Sequence, residues 1–141
     1  MKSDFNLLEL TTIKSSTFYL SDKATIRQAL EKFAYHKFSA VSIIDDEGHF
    51  VTTLSEGDIL RHISLKCDFD KSKCENTSIM EIERYRPYNA VTLDATFDEL
   101  YTYALSQNFI PVVDDRNIYI GIIKRKDIFV YLKQKTEKLP L

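Results

Sequence analysis

The chain has 141 residues, of which 44% are hydrophobic and 28% charged, and its formal net charge is −2. This composition is typical of a globular protein and excludes collagen-like, low-complexity and disordered classes. The slightly negative charge disfavours a protein held to DNA by phosphate contacts, so any anion site must be local. No apolar run approaches the roughly 20 residues that span a bilayer, and no apolar signal core follows Met1, which predicts a cytoplasmic protein.

The N-terminal residues 1–12 contain a short apolar group at positions 5, 7, 8 and 10. These residues predict a brief helix that docks on the body of the protein. A membrane-surface helix is the alternative, but its polar face would carry Lys and Arg, where this chain has Asp4 and Glu9. We therefore expect residues 1–12 to be a docking segment.

The chain then repeats itself. At a constant offset of 69 residues, Asp45, Asp46, Asp58 and Ile59 align with Asp114, Asp115, Asp127 and Ile128. In each copy an apolar run, a polar turn and a second apolar run predict a β-hairpin that leads into a helix. The paired aspartates fall at the hairpin turns, where carboxylates stabilise the chain reversal, so we interpret them as turn residues and not as catalytic acids.

An amphipathic helix precedes each hairpin. Apolar residues recur with helical spacing in both copies, at positions 26, 29, 30 and 33 and at positions 97, 100, 101 and 104. Each helix has a predicted capping box at its start, formed by Thr25 with Gln28 and by Thr96 with Glu99.

The predicted fold is α/β (α+β), with two β-α-β-β-α repeats. We place the first strands at Thr17–Leu20 and Ala90–Leu93, the closing helices at Gly57–Leu65 and Lys126–Lys135, and a short helix at 78–83. Because neither half buries enough surface alone, we expect the repeats to pack with pseudo-twofold symmetry. The expected domains are a docking segment at 1–12, a first repeat at 13–65, a linker with a short helix at 66–83, a second repeat at 84–135 and a C-terminal tail at 136–141.

Cysteine and histidine spacing predicts neither disulfides nor a metal site. Cys67 and Cys74 lie in a polar stretch, which disfavours a disulfide framework. His36, His49 and His62 are 13 residues apart with no partner motif, whereas a metal site needs several ligands at short spacing.

The order of these motifs resembles the tandem cystathionine-β-synthase (CBS) domain pair, the Bateman module, of the free-standing bacterial type. The resemblance covers about residues 13–134. The residues that carry it are Ala24-Thr25, Ser39 to Asp45 and Leu54 to Leu60 in the first half, and Asp94 to Thr96, Ile110 to Asp114 and Gly121 to Ile128 in the second. The resemblance implies a regulatory module that binds adenosine nucleotides in clefts between the repeats and commonly forms a flat homodimer.

The resemblance also implies two sets of ligand-binding residues, each drawn from both repeats. One cleft would combine Asp127, Lys124 and Arg125 with Lys37, Phe38, Ser39, Ala40, Ser16 and Thr17. The other would combine Asp58 and Ser55 with Asn108, Phe109, Ile110 and Val91.

Two of these groups have a second interpretation. In one interpretation, Asp58 would accept hydrogen bonds from both ribose hydroxyls while Ser55 and the free amides at the helix start meet phosphate. In the other, Ser55 or Asp58 only caps the following helix. In the second copy Lys124 stands where the family usually has Ser or Thr. The cluster Lys124-Arg125-Lys126 is either a solvated basic turn or an altered phosphate grip that favours additional phosphate groups.

We therefore predict an adenosine-nucleotide sensor whose ligand is AMP, ADP, ATP or cyclic di-AMP, with output to an effector protein in trans. The glycines form no phosphate-binding loop and no catalytic motif occurs, so we predict no enzyme activity and no catalytic residues. The alternatives are a ligand-free structural dimer and a weak nucleic-acid binder that uses the lysines near Tyr119 and Tyr131.

Overall fold

The computed structural model describes residues 5–36 and 39–137, which fold as two compact units. One unit comprises Phe18–Pro87 and is called here the first-repeat unit. The other joins the N-terminal segment up to Thr17 to the chain from Tyr88 onward and is called the second-repeat unit. Together they show the mixed α/β fold of tandem repeats that the sequence predicts. Among the described residues, no helix combines the length and the hydropathy of a membrane span.

The first-repeat unit contains a three-stranded sheet in the order β2-β3-β4. Its elements are β2 (Tyr19–Ser21), α2 (Ile26–His36), β3 (Ala40–Ile44), β4 (Phe50–Ser55) and α3 (Glu56–Lys66). Strand β3 runs parallel to β2 and antiparallel to β4, so the predicted hairpin is confirmed. Side chains from both helices and from the sheet form one apolar core that includes Ile26, Ile43, Leu54 and Ile59.

The second-repeat unit contains a four-stranded sheet in the order β1-β7-β6-β5. Its elements are α1 (Leu7–Leu10), β1 (Thr12–Ile13), β5 (Val91–Thr92), α4 (Phe97–Ala104), β6 (Phe109–Val113), β7 (Tyr119–Lys124) and α5 (Arg125–Glu137). The β6–β7 hairpin confirms the second predicted hairpin. Leu100, Ile110, Ile123 and Ile128 are completely buried in the core of this unit.

The N-terminal segment docks on the second-repeat unit. Leu7 is buried in its core, and the ring of Phe5 lies edge-on to Phe97 and Tyr131, at centroid distances of 5.5 and 5.6 Å. The segment predicted to dock therefore contains a helix that packs on this unit. The chain then forms β1, which pairs antiparallel with β7 and which the sequence did not predict.

Gly121 permits the close approach of these two strands. A Cβ atom at this position would overlap the carbonyl oxygen of Thr12 and lie 3.1 Å from Cα of Ile13. Only glycine allows the backbone of β1 to lie this close to β7. The segment at residues 11–13 thus depends on the absence of a side chain about one hundred residues later in the chain.

Several element boundaries differ from the prediction. The first strand begins at Tyr19, not Thr17, because the amide and hydroxyl of Thr17 both donate to the carbonyl of Lys14, at 3.0 and 2.8 Å, and hold residues 14–16 in a 3-10 turn. The strand predicted at 90–93 is limited to Val91–Thr92. The predicted short helix at 78–83 is a single 3-10 turn at Ile79–Glu81.

Local signals at the helix starts and hairpin turns are largely confirmed. Thr25 and Gln28 form a complete capping box, with hydrogen bonds of 2.9 and 3.3 Å. At Thr96 the hydroxyl accepts from the Glu99 amide, which is half of the predicted box. Asp45 accepts from two backbone amides of its turn, at 2.9 and 2.8 Å. These hydrogen bonds, the His49 amide first among them, lower the pKa of Asp45.

Candidate functional site

The two closing helices begin in the same backbone setting. Each follows the last strand of its hairpin without an intervening residue. The amide of Glu56 donates to the carbonyl of Ser39 at 2.9 Å, and the amide of Arg125 donates to the carbonyl of Asn108 at 3.0 Å. Because the repeats match here, Asp58 and Asp127 occupy equivalent positions in the first turns of their helices.

In the first repeat, three donors already occupy the carboxylate of Asp58, whose side chain is only 4% exposed. Oδ2 accepts from the amide of Ser55 at 3.2 Å. Oδ1 accepts from Nη2 of Arg61 at 2.6 Å and from the amide of Tyr85 at 3.1 Å. The hydroxyl of Ser55 accepts from the amide of Asp58 at 3.0 Å, which completes a capping box. The capping role of both residues is therefore confirmed, whereas ribose binding remains a prediction.

Arg84 and Arg86 follow the 3-10 turn at Ile79–Glu81 and add two cations to the surroundings of Asp58 and Tyr85. The guanidinium groups of Arg61 and Arg86 lie 5.3 and 5.2 Å from the ring centroid of Tyr85, within range of cation–π attraction. Arg84 donates to the carbonyls of Ile79 and Ile82, and burial lowers its pKa, an effect that the nearby Asp58 opposes. A cavity of about 210 Å³ is lined by Arg61, His62, Leu65, Lys66, Glu83 and Tyr85.

In the second repeat, Asp127 is half-buried. Within the described part of the chain it has neither a hydrogen-bond nor an ion-pair partner. It lines a cavity of about 220 Å³ together with Glu9, Leu10, Thr11, Thr12, Val130, Tyr131 and Gln134. The carboxylate of Asp127 is therefore available to a ligand, and the neighbouring threonines add hydroxyl groups.

In the basic cluster Lys124-Arg125-Lys126, the arginine has a structural role and the two lysines are available to an anion. Nε of Arg125 donates to the carbonyls of Ala104 and Gln107, at 2.7 and 3.1 Å. This bonding satisfies carbonyl groups at the end of α4, where a cation is favourable. Lys124 is half-buried and Lys126 is exposed. These two lysines are the cations of the cluster that remain for an anion.

Residues 11–17, which lead into the first repeat, lie along β7. Thr17 accepts a hydrogen bond from the hydroxyl of Tyr119 at 3.1 Å, at the start of β7, whereas Lys124 is at the end of that strand. Ser16 is exposed in the preceding 3-10 turn. Thr11 and Thr12 are the residues of this segment that line the cavity of Asp127. Sequence reasoning missed them because no local pattern reveals the register of a two-residue strand.

The remaining predicted residues fall into three groups. Ser39 and Asn108 are exposed at the strand starts. Ala40, Phe109, Ile110 and Val91 are buried, the last two within the core of the second-repeat unit. Lys37 and Phe38 lie outside the described residues. The predicted combination of residues from opposite repeats in shared clefts remains a prediction.

Comparisons with known proteins identify the fold and the family. The protein CbpB in complex with c-di-AMP has 23% sequence identity and a TM-score of 0.83, covering 94% of this chain and 87% of that one. CbpB from Streptococcus agalactiae has 24% identity and a TM-score of 0.79, covering 96% and 87%. CBSX2 in complex with AMP has 19% identity and a TM-score of 0.75, covering 94% and 98%.

No curated protein matches the sequence. The family model of the CBS domain matches it twice, over residues 10–65 and 79–134. These two matches cover most of the chain and coincide with the repeated strands and helices described above. The chain therefore belongs to the CBS domain family and contains two CBS repeats.

Proposed function

We propose that this protein is a regulatory module that binds adenosine nucleotides and signals to an effector protein in trans. The observation that supports it most is the carboxylate of Asp127, which has no described partner and lines a cavity beside the start of α5. A carboxylate accepts two hydroxyl groups well, and a ribose presents a pair of them. Similar folds are known in complex with c-di-AMP and with AMP, which supports this ligand class.

The charge around Asp127 supports a phosphorylated ligand. Lys124 and Lys126 lie at the start of α5, where free amide groups and the helix dipole favour an anion. The ligands we propose are AMP, ADP, ATP or cyclic di-AMP. In cyclic di-AMP each 3′ oxygen is part of a phosphodiester, so Asp127 would meet one hydroxyl per ribose instead of two.

Calorimetric titration of nucleotide-stripped protein tests this function. We expect AMP to bind the wild type, and Asp127→Ala to weaken binding by about 1.5 to 3 kcal/mol because a charge-assisted contact to two hydroxyls is lost. Asp115→Ala is the matched control, since it removes the same charge from an exposed hairpin turn. Unchanged affinity in Asp127→Ala, Asp58→Ala and the double variant would overturn the ribose assignment.

We also propose that two copies of the chain form a homodimer through their closing helices. Leu60 and Leu65 on α3 are 62% and 76% exposed, and Phe129 and Val130 on α5 are 56% and 53% exposed. Leu60 and Phe129 are equivalent at the offset of 69 residues, and exposed apolar side chains on both closing helices suit an isologous contact, in which the same surface serves both copies.

Light scattering tests the dimer. We expect twice the chain mass of 16.4 kDa for the wild type and for Leu8→Glu, an exposed apolar position outside both closing helices. Leu60→Glu and Phe129→Glu should lower the mass towards that of one chain. A wild type that remains at the mass of one chain at micromolar concentration contradicts the homodimer.

A further inference from the structure

We infer that Arg61 competes with ribose for Asp58, so that the site of the first repeat binds adenosine nucleotides only after Arg61 has moved away. This inference rests on the proposed function. It assigns to Arg61 the role of a specificity-determining residue that makes the two repeats unequal.

The hydrogen bonds of Asp58 show why a ligand meets competition there. A carboxylate offers about four acceptor positions. Two backbone amides, from Ser55 and Tyr85, and the guanidinium of Arg61 already use three of them. A ribose that presents two hydroxyls must therefore displace one donor.

Arg61 is the donor that can leave. The amide of Ser55 is fixed by the capping box, and the amide of Tyr85 belongs to the main chain. The side chain of Arg61 is 49% exposed, so it can turn towards solvent without unfolding the helix. Two attractions oppose its release, the charge-assisted bond of 2.6 Å to Asp58 and the cation–π contact with Tyr85.

The second repeat lacks this competitor. The offset of 69 residues that aligns Asp58 with Asp127 aligns Arg61 with Val130. Val130 lines the cavity of Asp127 and brings no charge to it. The sequence thus contains a natural comparison, in which the same position carries arginine in one repeat and valine in the other.

Titration with AMP in an Asp127→Asn background tests the inference, because this background leaves Asp58 as the ribose carboxylate. Adding Arg61→Val copies the second repeat and should tighten AMP binding by at least about tenfold. Adding Lys66→Val is the control, since it removes a cation from α3 and from the same cavity without touching Asp58. It should change the affinity by less than about twofold.

The reverse exchange gives a second measurement. Val130→Arg in otherwise wild-type protein should weaken AMP binding at Asp127 by about tenfold, because arginine three residues after aspartate reproduces the pairing of the first repeat. Thermal unfolding and light scattering show that each variant is folded and keeps the mass of the wild type, since Val130 also lies on the proposed dimer surface. Arg61→Gln replaces Arg61→Val if the valine variant is not folded.

The outcomes separate the inference from the proposed function. If the wild type binds AMP and the Arg61 variants bind no better than Asp127→Asn alone, the inference is overturned and the proposed function stands. Weaker binding in the Arg61 variants also overturns it, because Arg61 would then hold the phosphate. If the wild type and every variant fail to bind AMP, ADP, ATP and cyclic di-AMP, both are overturned.

Discussion

The first turns of α3 and α5 share a backbone and differ in their side chains. Ser55 caps α3 and binds the amide of Asp58, whose carboxylate is buried beneath Arg61. Lys124 stands at the position of Ser55, and Asp127 lines a cavity without a described partner. The equivalent aspartates thus have different roles. Asp58 stabilises its own helix, whereas Asp127 is available to a ligand. A repeated motif therefore does not by itself imply repeated function.

The largest expected loss of stability comes from a substitution that disrupts the pairing of β1 with β7 beside the cavity of Asp127. Gly121→Ala should destabilise the second-repeat unit by about 3 kcal/mol, because its Cβ would overlap the backbone of Thr12 and push β1 away. The denaturation midpoint measures this loss, and AMP binding at Asp127 should fall with it.

Gly57→Ala is the matched glycine variant in the first repeat. Its Cβ would lie 3.5 Å from Nη1 of Arg61 and 3.7 Å from Oγ of Ser55, both ordinary contacts. Because alanine favours a helix over glycine, we expect a gain of up to about 1 kcal/mol. Equal destabilisation by both alanines would contradict the special role of Gly121.

The next largest effect is the difference in unfolding free energy between alanine variants of Asp58 and Asp127, measured without ligand. Asp58→Ala removes one side of a capping box and leaves Arg61 and the amide of Tyr85 without their acceptor, so unfolding should become easier by about 2 kcal/mol. Asp127→Ala should cost less than about 1 kcal/mol, the value of its attraction to the helix dipole. Urea unfolding of both variants measures the difference, and equal losses would contradict it.

A smaller effect concerns phosphate preference. Lys124→Ser gives α5 the hydroxyl cap of α3, which should raise stability by about 0.5 to 1 kcal/mol. It should also reduce the advantage of ATP over adenosine by about 1 kcal/mol at low salt and by less at high salt, because the lost attraction is screened.

Titration of adenosine, AMP, ADP and ATP at two salt concentrations measures this preference. Lys133→Ser, an exposed change later in α5, is the control for general charge. If phosphate number has no influence in the wild type, or if the variant keeps the same order and salt slope, the basic cluster is a solvated surface.

The last prediction concerns the two cysteines of the chain, both of which lie in the first-repeat unit. Cys67 and Cys74 are buried in the first-repeat core, and burial is the main cause that raises the pKa of Cys74 from 9.0 to about 11. At pH 8 we therefore expect slow alkylation of the native thiols and rapid alkylation in urea. The stabilising contribution of the neutral Cys74 thiol is complete below about pH 9 and is lost as the pH rises towards 11.

Thiol labelling also shows which unit a mutation opens. In Gly121→Ala the thiols should stay protected, because the substitution lies in the other unit. Rapid labelling of that variant would show that disruption spreads to the first-repeat unit. Equally rapid labelling of the wild type at pH 8 would contradict the burial of both cysteines.

The elements that could be predicted from sequence are those encoded locally. The hairpin β3–β4 and the capping box of Thr25 and Gln28 depend on residues close together in the chain. The pairing of β1 with β7 was not predictable, because Thr12 and Ile13 are too few to reveal a partner. For the same reason Thr11 was missed beside Asp127.

The contact of Arg61 with Asp58 could have been predicted from the sequence. An aspartate followed three residues later by an arginine within a predicted helix places opposite charges on one face. The hydrogen bond from the Tyr85 amide to the same carboxylate could not have been predicted in this way, since Tyr85 lies 27 residues after Asp58, beyond the rest of α3 and the linker.

The pairing of β1 with β7 has a consequence for the order in which the chain folds. The first-repeat unit is continuous, from Phe18 to Pro87, so all its strands exist as soon as that stretch has been synthesised. The other unit closes only when β7 meets a strand made about one hundred residues earlier, which carries a larger loop-closure cost. On the ribosome we therefore expect the first-repeat unit to fold early. The cavity of Asp127, which needs both Thr12 and the start of α5, would be among the last features to form.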